Sequence, residues 1–227
     1  MSAAVPETAG GREPLGAGQR FVADLAAARV LAIIRGRETA AVIETAVALL
    51  DEGIAFVEVA LTTPGACDAI AAIRERRPDA GSVGAGTVLT VADVADVVAA
   101  GAQFIVTPAV APSIEAAADR GLPVAAGALT PTEAWTAVQR GASAVKLFPA
   151  SLGGPPLLKA VRDPFPDIPF LAVGGVDLAD VEPYLEVGAI GVGVGGPLVG
   201  DAASGGDLEA LRERARAYLA VAERFPA

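Results

Sequence analysis

The stretch of residues 82–108, SVGAGTVLTVADVADVVAAGAQFIVTP, contains the unit that decides the fold. It begins with a short apolar run at 82–88, continues through an Ala- and Val-rich segment at 91–100, and ends in a second apolar run. Thr90 stands where a helix N-cap belongs. Gly101 follows the last helical position, where a positive φ costs glycine little. The stretch therefore predicts a strand, a helix and a second strand.

This strand–helix unit recurs along nearly the whole chain. The apolar, β-branched runs predicted to be strands are 30–35, 54–61, 82–88, 103–108, 123–127, 143–148, 170–175 and 189–196. The predicted helices are 38–52, 64–77, 91–100, 112–120, 131–140, 155–162, 178–187 and 207–223. The candidate N-caps are Thr90, Ser113, Thr130 and Asp177, and the candidate C-terminal glycines are Gly53, Gly101, Gly121, Gly141 and Gly188.

Eight such units predict an α/β fold, a (β/α)8 TIM barrel. Nearly continuous apolar strands fit a parallel sheet that is covered on both faces. A doubly wound open sheet is the alternative, but it usually has fewer strands at this size, and no GxGxxG follows the first run. Residues 19–29 predict an extra N-terminal helix that closes the barrel bottom. We expect one barrel domain over 19–227, after a disordered tail of residues 1–18 that is rich in Gly and Pro.

The composition of the 227 residues excludes several classes of function. A net charge of −10 argues against binding nucleic acid or an anionic membrane, and no apolar run is long enough to span a bilayer. The chain has no His and one Cys, so His-ligated metal sites, Cys-rich metal sites and an internal disulfide are excluded. The start lacks a signal-peptide pattern, so a cytoplasmic protein is expected.

In such barrels the active site lies at the C-terminal ends of the strands, and Lys146 in the run SAVKLF is the most informative residue there. Burying a charged lysine is costly, and lowering its pKa from about 10.4 to about 7–8 corresponds to roughly 4 kcal/mol. A lysine with a lowered pKa is the nucleophile that forms a Schiff base with a ketone. The alternative is a lysine that extends to solvent or pairs with a carboxylate. The chain has only one other lysine, Lys159.

Two further charged residues lie on predicted strands. Glu58, in FVEVAL, either pairs with Lys146 or Arg35 or moves protons beside a Schiff base. Arg35 ends the first strand, where its planar fork suits a carboxylate; the alternative is an ordinary surface arginine. The third strand ends near Thr87.

Two glycine pairs end the seventh and eighth strands, Gly174–Gly175 and Gly195–Gly196. They match the position of the phosphate site that is common in these barrels. Glycine lets the backbone approach an anion closely, so backbone N–H groups can bind it. The alternative is that these pairs form tight strand-to-helix turns and nothing more.

The chain resembles the KDPG/KHG aldolases, named after 2-keto-3-deoxy-6-phosphogluconate and 4-hydroxy-2-oxoglutarate. The resemblance spans roughly residues 19–223 and is most specific in the combination of GAGTVLT with KLFPA. The matching pieces are AIIRG (32–36), GIAFVEVALTTPGACDAI (53–70), VGAGTVLT (83–90), GAQFIVTPAV (101–110), AVKLFPAS (144–151), VGGV (173–176) and GVGVGGPLV (191–199).

The resemblance implies a role for each candidate residue. Lys146 is implied as the Schiff-base lysine and Glu58 as the acid/base residue. Phe148 is implied to pack over the bound pyruvyl group. The pyruvate end of the substrate is assigned to Arg35, Thr62 and Thr87, and the distal phosphate to Gly174, Gly175, Gly195 and Gly196. A homotrimer is also implied.

Two positions depart from the pattern of many family members. Thr62 stands where some members have Arg, and Gly196 stands where many have Ser. The first departure leaves more of the carboxylate binding to Arg35 and Thr87. The second removes a hydroxyl from the phosphate site and leaves only the backbone N–H. These departures bear on the substrate more than on the lysine chemistry.

The expected function is a class I, metal-free and cofactor-free aldolase of the Entner–Doudoroff pathway. It would cleave the small keto acid 2-keto-3-deoxy-6-phosphogluconate to pyruvate and glyceraldehyde 3-phosphate. Alternative substrates are the galactonate epimer, 4-hydroxy-2-oxoglutarate and a non-phosphorylated 2-keto-3-deoxy acid. Two other functions compete with the aldolase: an isomerase or synthase acting on a phosphorylated sugar, and a non-catalytic barrel that binds an acidic metabolite.

Overall fold

A computed structural model describes residues 15–226 and shows eight parallel strands that close into a barrel in sequence order. The predicted (β/α)8 barrel is confirmed, and the doubly wound alternative is wrong. The strands are β1 Val30–Ile34, β2 Phe56–Ala60, β3 Ser82–Gly86, β4 Ile105–Val106, β5 Val124–Ala128, β6 Ala144–Leu147, β7 Phe170–Val173 and β8 Gly191–Val194.

Helices follow the strands and form the outer layer of the barrel, and one further helix, α1, precedes β1. They are α1 Ala17–Ala28, α2 Thr39–Asp51, α3 Ala66–Arg76, α4 Val91–Ala99, α5 Ser113–Ala118, α6 Pro131–Gln139, α7 Gly154–Arg162, α8 Val181–Glu186, α9 Gly196–Val199 and α10 Leu208–Ala222. Short 3-10 helices lie at Ala150–Leu152, Leu178–Asp180 and Ala202–Ser204. The predicted helix 178–187 is thus split into a 3-10 turn and α8.

Most predicted helix starts are confirmed, and one is wrong. The hydroxyls of Thr90 and Thr130 accept hydrogen bonds from the backbone N–H three residues later, and the Asp177 carboxylate caps the 3-10 turn that follows it. Ser113 is not an N-cap, because α5 begins at Ser113 itself. Its hydroxyl donates instead to the carbonyl of Val88 at 2.8 Å and so ties α5 to the loop after β3.

The predicted N-terminal helix is α1, and it closes the N-terminal end of the barrel. Phe21 enters that end and contacts Phe56 and Phe104, with ring centroids 5.7 and 5.3 Å away. The helix begins at Ala17, within the segment 1–18 that was expected to be a disordered tail. Residues 1–14 of that expected tail lie outside the described residues.

Side chains on each strand alternate between the barrel interior and the helix layer. The interior near α1, here called the lower half, is filled by large apolar side chains, among them Leu31, Phe56, Phe104 and Leu171. The interior nearer the C-terminal strand ends, the upper half, holds the residues two positions further along the same strands. It includes Glu58 on β2 and Lys146 on β6, together with Gly86, Gly127 and Gly193.

Among residues 15–226, no helix is both long enough and apolar enough to cross a membrane.

Candidate active site

Lys146 faces the interior of the upper half. Its neighbours in the sheet register are Gly127 on β5 and Leu171 on β7, and its side chain is only 3% exposed. It therefore does not extend to solvent. Burial lowers the pKa of the Lys146 amine; the Glu58 carboxylate opposes this shift, and the Arg35 guanidinium adds to it. The site thus favours the neutral, nucleophilic amine.

Glu58 faces Lys146 from the opposite wall, since three strands separate β2 from β6 in either direction around the barrel. It is completely buried. Burial raises the pKa of the Glu58 carboxyl group, and the positive charges of Lys146 and Arg35 oppose that shift. Neither carboxylate oxygen has a hydrogen-bond partner among residues 15–226, so Glu58 is not held in a direct ion pair with Lys146 or Arg35. A buried acid without a structural partner is free to exchange a proton with a bound molecule.

Gly86 provides the space that the Glu58 side chain occupies. A Cβ at position 86 would overlap the carboxylate and would lie 2.8 Å from Cγ of Glu58. Because real Cβ contacts do not approach this closely, any side chain here would force Glu58 into another position. Gly86 therefore fixes where the buried acid can stand.

The aromatic ring of Phe148 lies beside the amine of Lys146. Nζ of Lys146 lies 4.9 Å from the centroid of the Phe148 ring, a distance typical of a cation–π contact. The Cδ2–Cε2 edge of the ring packs against Gly174, where a Cβ would come within 2.8 Å of Cδ2. The aromatic ring is thus held between the lysine and the turn after β7.

A cavity of about 130 Å³ opens above this ring at the C-terminal end of the barrel. Its walls contain most of the residues that were predicted to bind the substrate. They include Arg35, Phe148, Gly174, Gly175, Gly195 and Gly196, with Ile33, Val173 and Gly193 among the remaining lining residues. Arg35 is exposed and brings a permanent positive charge to this cavity.

Four predicted residues do not line this cavity. Lys146 and Glu58 lie deeper in the barrel, as described above. Thr62 is exposed in the loop after β2, and Thr87 is half-buried at the end of β3. Thr87 has φ +60°, a left-handed conformation that is rare for a β-branched residue and costs about 1–3 kcal/mol. Such strain is concentrated at functional sites.

The turn at Gly174–Gly175 presents unused backbone donors to the cavity. Both glycines have positive φ, +94° and +70°. Their N–H groups donate to no backbone carbonyl among residues 15–226. Free N–H groups beside an arginine form a site that suits an anion. Within the same described part of the chain, no group of three His, Cys, Asp or Glu side chains has a metal-binding arrangement.

Thr107 is a site residue whose role the sequence did not reveal. It is completely buried at the end of β4. Its hydroxyl donates to the carbonyl of Ala109 at 2.6 Å and accepts a hydrogen bond from the N–H of Gly127 at 3.2 Å. Because Gly127 is the β5 neighbour of Lys146, Thr107 holds the wall beside the lysine. A threonine at a strand end was the available signal, but its partners became visible only in three dimensions.

The two grooves of largest volume lie elsewhere on the molecule. One, of about 490 Å³, is lined by Tyr218, Arg214 and Leu178, and the other, of about 560 Å³, runs beside α1. None of the predicted site residues lines either groove. The position of the buried lysine and acid, rather than cavity size, therefore marks the candidate active site.

Comparisons with known proteins identify the family of the chain. The family model for KDPG and KHG aldolase matches residues 22–213. A probable 2-dehydro-3-deoxy-6-phosphogalactonate aldolase from Rhizobium meliloti (strain 1021) is 36% identical over 194 residues, which are 85% of this chain and 90% of that protein. A 2-dehydro-3-deoxy-phosphogluconate aldolase from Pseudomonas aeruginosa is 38% identical over 162 residues, 70% of this chain and 73% of the other.

Solved structures show the same relationship. A native KDPGal structure superposes with a TM-score of 0.79 at 35% identity and covers 86% of this chain and 94% of its own. The KDPG aldolase of Legionella pneumophila, which holds pyruvate as a covalent carbinolamine intermediate, gives a TM-score of 0.72 at 30% identity and covers 91% and 98%. The chain belongs to the KDPG/KHG aldolase family and is an aldolase, a carbon–carbon lyase.

Proposed function

We propose that this aldolase cleaves a phosphorylated 2-keto-3-deoxy sugar acid to pyruvate and glyceraldehyde 3-phosphate through a Schiff base on Lys146. One observation carries the proposal: a buried lysine with a lowered pKa faces a buried, unpaired acid with a raised pKa across the barrel. Burial shifts the lysine towards its neutral amine and the acid towards its protonated carboxyl group. Both forms are needed for the first step.

The first step is formation of the imine. The Lys146 amine attacks C2 of the keto acid and forms a C–N bond, and the carbonyl oxygen becomes the hydroxyl of a carbinolamine. Protonated Glu58 gives its proton to that hydroxyl, which leaves as water. The products are a protonated imine on Lys146 and a Glu58 carboxylate.

The carboxylate formed in this way is the base for cleavage. Glu58 accepts the proton of the C4 hydroxyl as the C3–C4 bond breaks, and the electron pair of that bond passes into the imine, which becomes a neutral enamine. The aldehyde leaves. Glu58 then returns its proton to C3 of the enamine, and hydrolysis of the resulting imine releases pyruvate and restores both residues. One acid thus serves every proton transfer.

Binding of the anionic substrate requires local positive potential in a chain whose net charge is −10. We assign the pyruvate carboxylate to Arg35, with Thr62 and Thr87 beside it. The phosphate is assigned to the N–H groups of the glycine turns, and Phe148 to the face of the pyruvyl group. This assignment is supported by the cavity, which brings Arg35, Phe148 and all four glycines together.

The galactonate epimer is the second candidate substrate. Relatives named 2-dehydro-3-deoxy-6-phosphogalactonate aldolase, from Rhizobium meliloti and Escherichia coli, match 85% and 84% of this chain. The Pseudomonas aeruginosa relative named for phosphogluconate matches 70%. Because the identities are similar, at 36%, 35% and 38%, both epimers are candidate substrates.

We further propose a cytoplasmic homotrimer that acts in the Entner–Doudoroff pathway. A cube-shaped cage designed by fusing symmetric oligomeric domains superposes with a TM-score of 0.79 at 34% identity, which supports a symmetric assembly. Sedimentation of the purified protein tests this part. A species of about three chains is expected, and a monomer would contradict it.

Borohydride reduction in the presence of pyruvate tests the mechanism. Reduction should fix pyruvate on the Lys146 peptide, and peptide mapping distinguishes it from Lys159, the other lysine of the chain, which is exposed on α7. Lys146→Met should lower kcat by about 10⁴-fold or more, whereas Lys159→Met should leave it unchanged. An active enzyme that forms no adduct on Lys146 would contradict the Schiff-base mechanism. Pyruvate release from each epimer, with and without phosphate, then identifies the substrate.

A further inference from the structure

Ser151 lies beside the glycine turn that follows β7, although it belongs to the loop that follows β6. Its backbone N–H donates to the carbonyl of Gly174 at 3.0 Å. Its side chain fills the space that Gly175 leaves by lacking a Cβ: a Cβ there would lie 2.6 Å from both Oγ and Cβ of Ser151. The hydroxyl is therefore in contact with the turn whose N–H groups are unused.

Ser151 does not itself line the cavity of about 130 Å³, but its hydroxyl is in contact with Gly175, which does. The serine is exposed, and none of the hydrogen bonds found among residues 15–226 uses its Oγ. The opposite turn offers no such group, because position 196 is glycine and contributes only its backbone. Ser151 thus brings a side-chain hydroxyl to the glycine turn at Gly175.

We propose that the Ser151 hydroxyl donates a hydrogen bond to the substrate's phosphate and makes this enzyme select phosphorylated over non-phosphorylated keto acids. The inference rests on the proposed function and adds a residue to it. The loop after the catalytic strand β6 then carries two determinants, with Phe148 against the pyruvyl group and Ser151 against the phosphate. Both residues contact the Gly174–Gly175 turn, so the two ends of the substrate would be bound by residues packed on the same turn.

Ser151→Ala tests this inference. A hydrogen bond to a charged group corresponds to roughly a 10- to 100-fold change, so kcat/KM for the phosphorylated substrate should fall by about that factor. The value for the non-phosphorylated analogue should stay within about twofold, and inorganic phosphate should become a weaker inhibitor. Ser204→Ala, at an exposed serine of the 3-10 helix Ala202–Ser204, is the control and should change neither value.

Gly196→Ser in the Ser151→Ala background should restore part of the lost kcat/KM. A Cβ at position 196 meets no atom within 4 Å, so a serine fits there and brings a hydroxyl to the other turn. An equal loss for both substrates, or no loss for the phosphorylated one, would overturn the inference. In either case borohydride trapping of pyruvate on Lys146 reports on the proposed function separately, because pyruvate carries no phosphate.

Discussion

The two halves of the barrel interior are built by the same strands but differ in the chemistry of their side chains. In the lower half, Phe56 and Phe104 pack with a centroid separation of 5.7 Å, and Phe21 of α1 seals them from below. Two residues further along β2, the apolar Phe56 gives way to Glu58, and on β6 the small Ala144 gives way to Lys146. One half is filled with hydrocarbon, whereas the other holds two buried ionisable groups.

The difference shows how one core supplies both stability and reactivity. Burial of apolar area stabilises the lower half, at roughly 1.5–3 kcal/mol for a large side chain. The two ionisable groups of the upper half cost stability, because neither oxygen of buried Glu58 has a hydrogen-bond partner among residues 15–226 and burial disfavours the Lys146 ammonium. The glycines of the upper half leave room for those side chains, whereas Gly84 in the lower half leaves room for the Phe104 ring.

The largest expected effect on stability comes from emptying the lower half. Phe104→Ala should lower the free energy of unfolding by about 3–5 kcal/mol, because it removes a fully buried ring and leaves a cavity. Denaturant titration measures this loss, and kcat of the folded variant should stay within about threefold. Trp135→Ala removes an aromatic ring that is 50% exposed, so it should cost only about 1 kcal/mol. A large drop in kcat with little loss of stability in Phe104→Ala would contradict the assignment of stability to the lower half and catalysis to the upper half.

Gly86→Ala, in the upper half, should lower catalytic activity, whereas Phe104→Ala should lower stability. The added Cβ overlaps the Glu58 carboxylate, and displacing a general acid and base typically costs 10²- to 10³-fold, so kcat should fall by roughly that factor. The pH profile of kcat should change as well, since the acid moves to new surroundings. Gly16→Ala, whose Cβ would approach only the Gln19 side chain at 3.8 Å, is the matched control. Unchanged kcat and pH profile in Gly86→Ala would show that catalysis does not need Glu58 in this position.

Much of the barrel could be predicted because its signals are local. Glycines after helices and apolar runs before them are visible in any short stretch, and so is a lysine between apolar neighbours. The contact between Gly86 and Glu58 depends on the register of β3 against β2, in which Gly86 stands beside Ala60. No local pattern sets that register.

Contacts between loops escape prediction for the same reason. Ser151 and Gly175 are neighbours because the loops after β6 and β7 emerge from adjacent strands and fold onto each other. Ser113 was taken for a helix cap because serine suits that position, but a carbonyl from the loop after β3 was available to it instead. The sequence therefore predicts which residues are unusual more readily than which partners they meet.

Removing both buried charges of the upper half should stabilise the protein while abolishing catalysis. Replacing a buried charged pair by neutral groups of similar volume often gains about 1–4 kcal/mol, so Lys146→Met with Glu58→Gln should raise the free energy of unfolding at neutral pH by that order. The matched control, Lys159→Met with Glu213→Gln, changes two exposed residues and should shift stability by less than about 0.5 kcal/mol. A double variant less stable than the parent would show that the pair supports the fold.

The smallest expected effect is the influence of the exposed Arg35 guanidinium on the pKa of buried Lys146. The Arg35 guanidinium disfavours the Lys146 ammonium, so Arg35→Met should raise the pKa of Lys146. Since a pKa unit corresponds to about 1.4 kcal/mol and an exposed charge contributes about 1 kcal/mol or less, the rise should be less than about one unit. Reductive methylation with formaldehyde, a small neutral reagent, measures the pKa of Lys146 without a keto-acid substrate.

The pH at which Lys146 becomes half-maximally reactive should therefore move upward in Arg35→Met and stay in place in Arg37→Met, which removes an exposed arginine two residues away. Lys159 in the same digest is the internal reference. The upward shift should shrink as salt is added, because the charge of Arg35 lies at the solvent-exposed rim and is screened there. No shift in Arg35→Met would mean that burial lowers the lysine pKa without help from Arg35, and a downward shift or an equal shift in both variants would contradict the role assigned to Arg35.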